Sequence, residues 1–215
     1  MADRAPVIVA ISRQIASGGA YVGQAVANRL GLKYVDREIL HRAAEALGAA
    51  DEKAIEALEE RAARSWSSIA RALFVGAPDT PFVPPPPPNL HEGDVLEAET
   101  RIIREIAARE DAVIVGRGAA HVLPRRPGII RVFLHAPVGV RQADVQRTYG
   151  LSETEAKQLV QRSDRNRAGF VQSIAGRPWT DACLYDLCID TSIVRLDLAV
   201  DLIAAAAAEL LKQPR

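Results

Sequence analysis

The chain has 215 residues, of which 48% are hydrophobic and 25% charged, enough for one globular domain with its own core. Basic and acidic residues number 27 each, and the lack of a net cationic field argues against nucleic acid and anionic membranes as partners. No apolar run approaches the roughly 20 residues that cross a bilayer, and Met1 to Pro6 contain no secretory signal, so we expect a cytoplasmic protein.

The first predicted element is a β-branched run from Val7 to Ile11, which is typical of a strand buried on both faces. A loop of small and polar residues follows it and leads into a predicted helix, Gly19 to Leu30. Such a loop can cradle a phosphate, because backbone N–H groups and the positive end of the helix converge there. The pattern G-x-x-x-x-G-K-[ST] is absent, since no lysine occurs from Met1 to Gly31, and a plain strand-to-helix turn is an equal alternative at this point.

The next part of the chain predicts a helical insertion. After a short strand at Lys33 to Val35, residues 37–94 show no convincing strand and favour two or three helices. Their proline-rich segment, 78–88, ends in five consecutive prolines and predicts a polyproline II conformation. A rigid spacer and a ligand for an SH3-like domain both account for it.

The remainder alternates between helices and strands. Helices are predicted at Val95 to Ala108 and Leu196 to Leu211, and strands at Ala112 to Val115, Ile129 to Leu134 and Leu187 to Ile189. This alternation predicts an α/β fold around a parallel sheet. Ser152 and Glu155 have the spacing of a capping box, which marks a helix start.

The cysteines and histidines indicate no metal centre. Cys183 and Cys188 have no second pair and no neighbouring histidine, so we interpret them as buried, reduced thiols. The four histidines show neither metal-ligand nor catalytic-triad spacing. We therefore predict no metal-ligating residues.

Three groups of motifs resemble the cytidylate kinase-like family, a branch of the P-loop nucleoside monophosphate kinases. The resemblance covers nearly the whole chain, with the motifs in the family's order and spacing. The matching motifs are Ser12-Arg13, Ser17-Gly18-Gly19, Gly23, Leu30-Gly31 and Tyr34 to Leu40, then Val113 to Gly118, then Arg162 to Arg167.

The resemblance implies a three-layer P-loop kinase fold: a five-stranded parallel sheet with helices on both sides. It also implies a helical acceptor-binding insertion and an arginine-rich lid at 150–178, all within a single kinase-like domain, 1–215. The implied activity is transfer of the ATP γ-phosphoryl group to a nucleoside monophosphate such as CMP, with Mg²⁺. Small-molecule nucleotides would be the partners, and the apolar insertion helix is compatible with a homodimer.

The same resemblance assigns candidate site residues. The donor phosphates would lie against the loop, the acceptor would lie beside residues that follow the second and third strands, and the lid arginines would close over the phosphates. Asp36 is equally well explained as a helix N-cap. The candidates are Ser12, Ala16, Ser17, Gly18, Gly19, Ala20 and Tyr21 for ATP, Asp36, Arg37, Arg42 and Arg117 for the acceptor, and Arg13, Arg162, Arg165 and Arg167 for catalysis.

The chain departs from the family pattern in two places. Gly19, Ala20 and Gln24 stand where the family tends to keep a basic residue, and we expect Arg13 to substitute for it. Gly118 stands where cytidylate kinases carry an aspartate that helps to read the base. These departures leave two alternatives: a nucleotide-binding sensor or scaffold with little turnover, because losing a transition-state contact harms rate more than binding, and an interaction module that uses the insertion and the proline segment.

Overall fold

The computed structural model describes residues 5–36 and 92–212. The described helices and strands begin and end as follows: β1 Ile8–Arg13, α1 Gly19–Leu30, β2 Lys33–Val35, α2 Glu92–Arg109, β3 Ala112–Val115, α3 Ala119–Val122, β4 Ile129–His135, α4 Val138–Tyr149, α5 Glu153–Ala175, a 3₁₀ turn Ala182–Leu184, β5 Leu187–Asp190 and α6 Leu196–Leu211.

The chain divides into two compact units. One comprises Met1–Asp36 and Arg104–Arg215, and the other comprises Arg37–Ile103, so the boundary falls within α2. All five strands belong to the first unit. The predicted insertion at 37–94, with its proline-rich segment, lies outside the described residues except for the first turn of α2, and the single-domain organisation stays a prediction.

The five strands form one parallel sheet in the order β2-β3-β1-β4-β5, which confirms the predicted α/β fold. Strand β1 lies at the centre, with Ile8 opposite Ala112 of β3 and Ile129 of β4. Parallel strands bring their carboxyl ends to one edge of the sheet, and ligands of open α/β sheets bind outside that edge. The residues that follow β1, β2 and β3 therefore meet there.

Helices α1 and α6 cover one face of the sheet. Successive side chains of a strand point to opposite faces, and on this face Val9, Ile11 and Leu134 pack with Val26 of α1 and Ile203 of α6 in a single buried cluster. The glycine that follows α1, Gly31, has a φ of 65° and ends the helix in the left-handed conformation that glycine adopts without strain.

The opposite face is covered by α3 and by the segment before β5. The Arg131 side chain of β4 lies in this layer, where its Nε–H donates to the carbonyl of Ala120 (2.8 Å) and its Nη2 to that of Leu123 (2.9 Å). Phe133 of the same strand stacks on Tyr185, with ring centroids 4.9 Å apart. Helices thus lie on both sides of the sheet, as a three-layer P-loop kinase fold requires.

The cysteine interpretation was wrong in part. Cys183 and Cys188 are free thiols, as predicted, but both are exposed. Cys183 lies in the 3₁₀ turn, and Cys188 lies on β5, which is an edge strand. Within the described ranges, no helix combines the length and apolar character that crossing a membrane requires.

Candidate functional site

The loop between β1 and α1 exposes backbone donors at the edge of the sheet. Ala16 and Gly18 adopt left-handed φ values of 58° and 75°, and Gly18 offers no side-chain cap to the helix. The hydrogen-bond ladder of α1 begins with the Val22 N–H, which donates to the Gly18 carbonyl at 2.9 Å. The N–H groups of Gly19, Ala20 and Tyr21 precede it and have no acceptor within the helix. This arrangement suits an anion, because the helix dipole adds to the three donors.

Side chains fix the shape of this loop from beneath. Ser17 is buried, and its hydroxyl lies 2.8 Å from the Gln14 carbonyl and 3.1 Å from the Leu134 carbonyl. The Gln14 side chain accepts the Ala136 N–H at 3.1 Å, while its own backbone N–H donates to Leu134. Ser17 therefore shapes the loop with its side chain, and only its backbone is available to a phosphate.

The loop also packs against the helical hairpin formed by α4 and α5. Ile15 and Ala16 contact a small buried cluster made by Val145 of α4 and by Ala156 and Val160 of α5. A capping box starts α5, as the sequence predicted: Ser152 accepts from the Glu155 N–H, and Glu155 accepts from that of Ser152 at 2.8 Å. The arginine-bearing helix α5 is thus in direct contact with the loop between β1 and α1.

Arg13 lies between two glycines at the mouth of this loop. Its Cβ and Cγ would be only 2.7 and 2.5 Å from a Cβ added at Gly19, and a Cβ at Gly116 would overlap its guanidinium. The Arg13 Nη2 lies 3.8 Å from Asp36 Oδ1. Burial lowers the pKa of Arg13; Asp36 opposes this effect, and the neighbouring Arg117 reinforces it.

Arg117 and Arg167 complete a cationic cluster around Arg13. Arg117 follows β3 with a left-handed φ of 52°, between two glycines that also have positive φ. Burial, followed by the proximity of Arg13, lowers the pKa of Arg167 to about 10; Arg117 acts in the same direction and Asp164 opposes it. Neighbouring guanidinium groups repel one another, and this repulsion lowers their pKa values. An anion that binds beside them relieves the repulsion, so the cluster favours anion binding.

An ion pair that the sequence did not single out fixes this cluster. Arg141 of α4 is buried, and its Nη1 and Nη2 donate to the two carboxylate oxygens of Asp164 at 3.0 and 2.8 Å. Its Nε–H donates to the carbonyl of Ala136 at 2.8 Å. The bidentate pair joins α4 to the turn of α5 that precedes Arg167, whose guanidinium also donates to Ser163.

The structure does not bring every predicted residue into this cluster. Arg162 is buried within α5, and Arg165 is exposed on it. Ser12 lies on the opposite face of the sheet from Arg13, where its hydroxyl accepts the Trp179 indole N–H at 2.9 Å. The Tyr21 hydroxyl donates to Asp197 of α6 at 2.9 Å. Arg37 and Arg42 lie outside the described residues, as does the helix that Asp36 would cap.

Asp36 is held by two neighbours. Besides the ion pair with Arg13, its Oδ2 accepts from the Tyr34 hydroxyl at 3.3 Å. Among residues 5–36 and 92–212, no group of three or more His, Cys, Asp or Glu side chains could hold a metal. A Mg²⁺ bound to substrate phosphates would need only one or two protein carboxylates, with phosphates and water as its other ligands, and Asp36 offers one carboxylate at this site.

Comparison with known proteins gives a family match and a curated relative. A model described as the cytidylate kinase-like family matches residues 8–193. Over 118 residues the chain is 30% identical to a cytidylate kinase of Methanopyrus kandleri, a match that covers 51% of this chain and 61% of the relative. The chain thus matches less than two thirds of that relative's length.

Two solved structures match nearly the whole chain. An uncharacterized protein from Eubacterium ventriosum superposes with a TM-score of 0.65 at 22% identity, covering 94% of this chain and 98% of the other. A gluconokinase from Sinorhizobium meliloti covers 99% of both chains at 19% identity, with a TM-score of 0.48. The first of these supports the three-layer architecture.

Proposed function

The chain belongs to the cytidylate kinase-like family, and from this premise we propose that it transfers the γ-phosphoryl group of ATP to a nucleoside monophosphate, with CMP as the favoured acceptor. The observation that carries the proposal is the convergence of Arg13, Arg117 and Arg167 beside a loop of unpaired backbone donors. Phosphoryl transfer needs chiefly positioning and charge stabilisation, and guanidinium groups supply both.

Different residues bind the donor and the acceptor phosphates. The N–H groups of Gly19, Ala20 and Tyr21 hold the donor phosphates, and Arg13 takes the place of the missing lysine. An oxygen of the acceptor phosphate attacks the γ-phosphorus, and the bond to the oxygen that bridges the β- and γ-phosphates breaks, which yields ADP and a nucleoside diphosphate. Arg117 binds the acceptor phosphate, and Arg167 stabilises the charge that spreads over the transferred group. Mg²⁺ bound to ATP neutralises part of the phosphate charge.

The test is turnover by the purified chain. With ATP and Mg²⁺, we expect ADP formation to depend on an added monophosphate, and CMP to give the highest kcat/KM among CMP, UMP, AMP and GMP. Arg13→Ala and Arg167→Ala should each lower kcat/KM at least about 100-fold, because each removes a charged contact made in the transition state. Arg147→Ala is the matched control, since this arginine lies on α4 with its side chain 81% exposed.

A second function is favoured by one specific observation, the absence of any lysine from Met1 to Gly31. A chain that binds the ATP analogue AMP-PNP but forms no ADP with any monophosphate would be a nucleotide-binding sensor or scaffold. That result would overturn the kinase proposal and leave the phosphate site intact. Absence of both binding and turnover would overturn both.

A further inference from the structure

The end of β1 is attached to the segment that follows α5. Ser12 is the penultimate residue of β1, and its Oγ accepts the Trp179 Nε1–H at 2.9 Å. Trp179 lies four residues beyond the end of α5 and is only 3% exposed. A partly buried hydrogen bond therefore connects residues 167 positions apart in the chain.

Phe133 and Tyr185 both contact Trp179. Its ring meets Phe133 edge-on, with centroids 5.4 Å apart and planes at 68°. The Tyr185 hydroxyl donates to the Trp179 carbonyl at 2.8 Å, while the Tyr185 ring stacks on Phe133. Phe133 is the register partner of Ser12 across β1 and β4. Trp179 is thus positioned by Phe133 through its ring and by Tyr185 through its carbonyl.

Arg13 is next to Ser12 in the same strand and points to the other face. Its stem passes over Gly19, and its guanidinium lies against Gly116 and pairs with Asp36. A rotation of the strand at Ser12 would carry Arg13 with it, because successive side chains are fixed on opposite faces. What holds Ser12 therefore contributes to the orientation of Arg13, together with Gly19, Gly116 and Asp36.

We propose that Ser12 and Trp179 are positioning residues for Arg13: their hydrogen bond sets the direction in which the guanidinium enters the phosphate site. Ser12 acts through Arg13 and makes no contact with a phosphate. The consequence for transfer rests on the proposed function, whereas the effect on Arg13 itself does not.

The first experiment follows Arg13 directly, in the absence of nucleotide. The Nε–H resonance of Arg13, identified by its loss in Arg13→Lys, is compared by NMR in the wild type, Ser12→Ala, Ser12→Thr and Trp179→Phe. We expect Ser12→Ala and Trp179→Phe to shift the resonance toward that of a solvated arginine, and Ser12→Thr, which keeps the hydroxyl, to restore it. Ser173→Ala is the matched control, because this exposed hydroxyl donates only to the Phe170 carbonyl within α5.

The second experiment separates positioning from phosphate contact. Ser12→Ala and Trp179→Phe should lower kcat about five- to ten-fold, as expected for the loss of one hydrogen bond, with the affinity for AMP-PNP within two-fold of the wild type. In an Arg13→Ala background, Ser12→Ala should have no further effect on kcat.

The outcomes distinguish the two proposals. An unchanged Arg13 resonance in both Ser12→Ala and Trp179→Phe overturns the positioning role, whatever the activity. So does a loss of AMP-PNP affinity in Ser12→Ala that persists in the Arg13→Ala background, because Ser12 would then contact the nucleotide. A wild-type chain without turnover, whose Arg13 resonance still responds to both substitutions, supports positioning and removes the kinase proposal alone.

Discussion

At the scale of single residues, the site is shaped by glycines that leave room for one arginine. Gly19 matches the loop motif, where a glycine lets the backbone approach a phosphate, but its Cα also faces the stem of Arg13. Gly116 faces the guanidinium of the same side chain and has a φ of 83°. The absence of a side chain at Gly19 and at Gly116 therefore leaves the space that Arg13 occupies.

Substitution of Gly19 tests whether Arg13 needs the space beside this glycine. In Gly19→Ala the new Cβ would lie 2.5 Å from the Arg13 Cγ, so Arg13 must move, and we expect kcat to fall at least about ten-fold if a displacement of about 1 Å is enough to disturb catalysis. Stability should also fall, by about 1–3 kcal/mol, because the new Cβ meets the Cβ and Cγ of Arg13 and not the flexible end of that side chain. Steady-state kinetics and urea unfolding measure the two effects. Gly139→Ala is the control, since nothing lies within 4 Å of that position, and a wild-type rate in Gly19→Ala would contradict the expectation.

His121 gives the fold a pH dependence that can be isolated. Burial, assisted by Arg131, lowers the pKa of His121 to about 4, below its ordinary value of 6.5. Between these two values the unfolded chain binds more protons than the folded chain, so stability is full above about pH 6.5 and falls toward pH 4. His121→Gln should reduce the loss of unfolding free energy between pH 7 and pH 5, measured by urea titration. Parallel losses in the variant and the wild type would show that His121 does not titrate in this way.

At the scale of secondary-structure elements, α4 shows where sequence patterns fail. Only Arg141 and Val145 are buried on this helix, so it lacks the repeated apolar positions that predicted α1 and α6. The bidentate pair with Asp164 takes the place of an apolar face, and an arginine gives no sign in the sequence that it is buried. The sequence therefore predicted neither α4 nor the ion pair between Arg141 and Asp164, because the helix is held by a buried arginine and not by an apolar face.

Removal of this anchor should loosen the hairpin. Arg141→Ala deletes three hydrogen bonds and leaves the Asp164 carboxylate without its bidentate partner, and we expect a loss of about 2–3 kcal/mol of unfolding free energy. Arg141→Lys keeps the charge without the planar fork, so it should recover only part of the loss. Urea unfolding gives both values. Equal stability of Arg141→Lys and the wild type would mean that charge alone holds α4 to α5.

Two glycines test how the second half of α5 is held. A Cβ at Gly118 would lie 2.8 Å from both Phe170 and Ile174, and its φ of 68° disfavours any side chain, so Gly118→Ala should cost about 1–3 kcal/mol. Gly169 lies on α5 itself with nothing within 4 Å, and Gly169→Ala should stabilise by about 0.5–1 kcal/mol. Thermal unfolding of both variants measures these effects. Equal destabilisation by Gly118→Ala and Gly169→Ala would contradict the contact between Gly118 and α5.

At the scale of the whole molecule, the sequence predicted the layers and the strands much better than the contacts across them. Strands such as Ala112–Val115 were recognisable because each is a short apolar run buried on both faces. The bond between Ser12 and Trp179 could not be predicted, because it depends on how two distant segments pack against β4. The exposure of Cys188 likewise follows from the edge position of β5, which a sequence does not reveal.

The convergence of arginines in a chain with no net charge leads to a prediction about the molecule as a whole. Binding of a polyphosphate should stabilise the fold through local contacts, since no long-range field attracts the ligand. At 100 times Kd, a ligand that binds only the folded state adds about 2.7 kcal/mol, which raises Tm by roughly 5–10 °C in a chain of this size. We expect tripolyphosphate and AMP-PNP both to produce this shift in the wild type and in Arg147→Ala. The double variant Arg13→Ala, Arg167→Ala should lose it, and an equal shift in that variant would place the bound phosphates away from the arginine cluster.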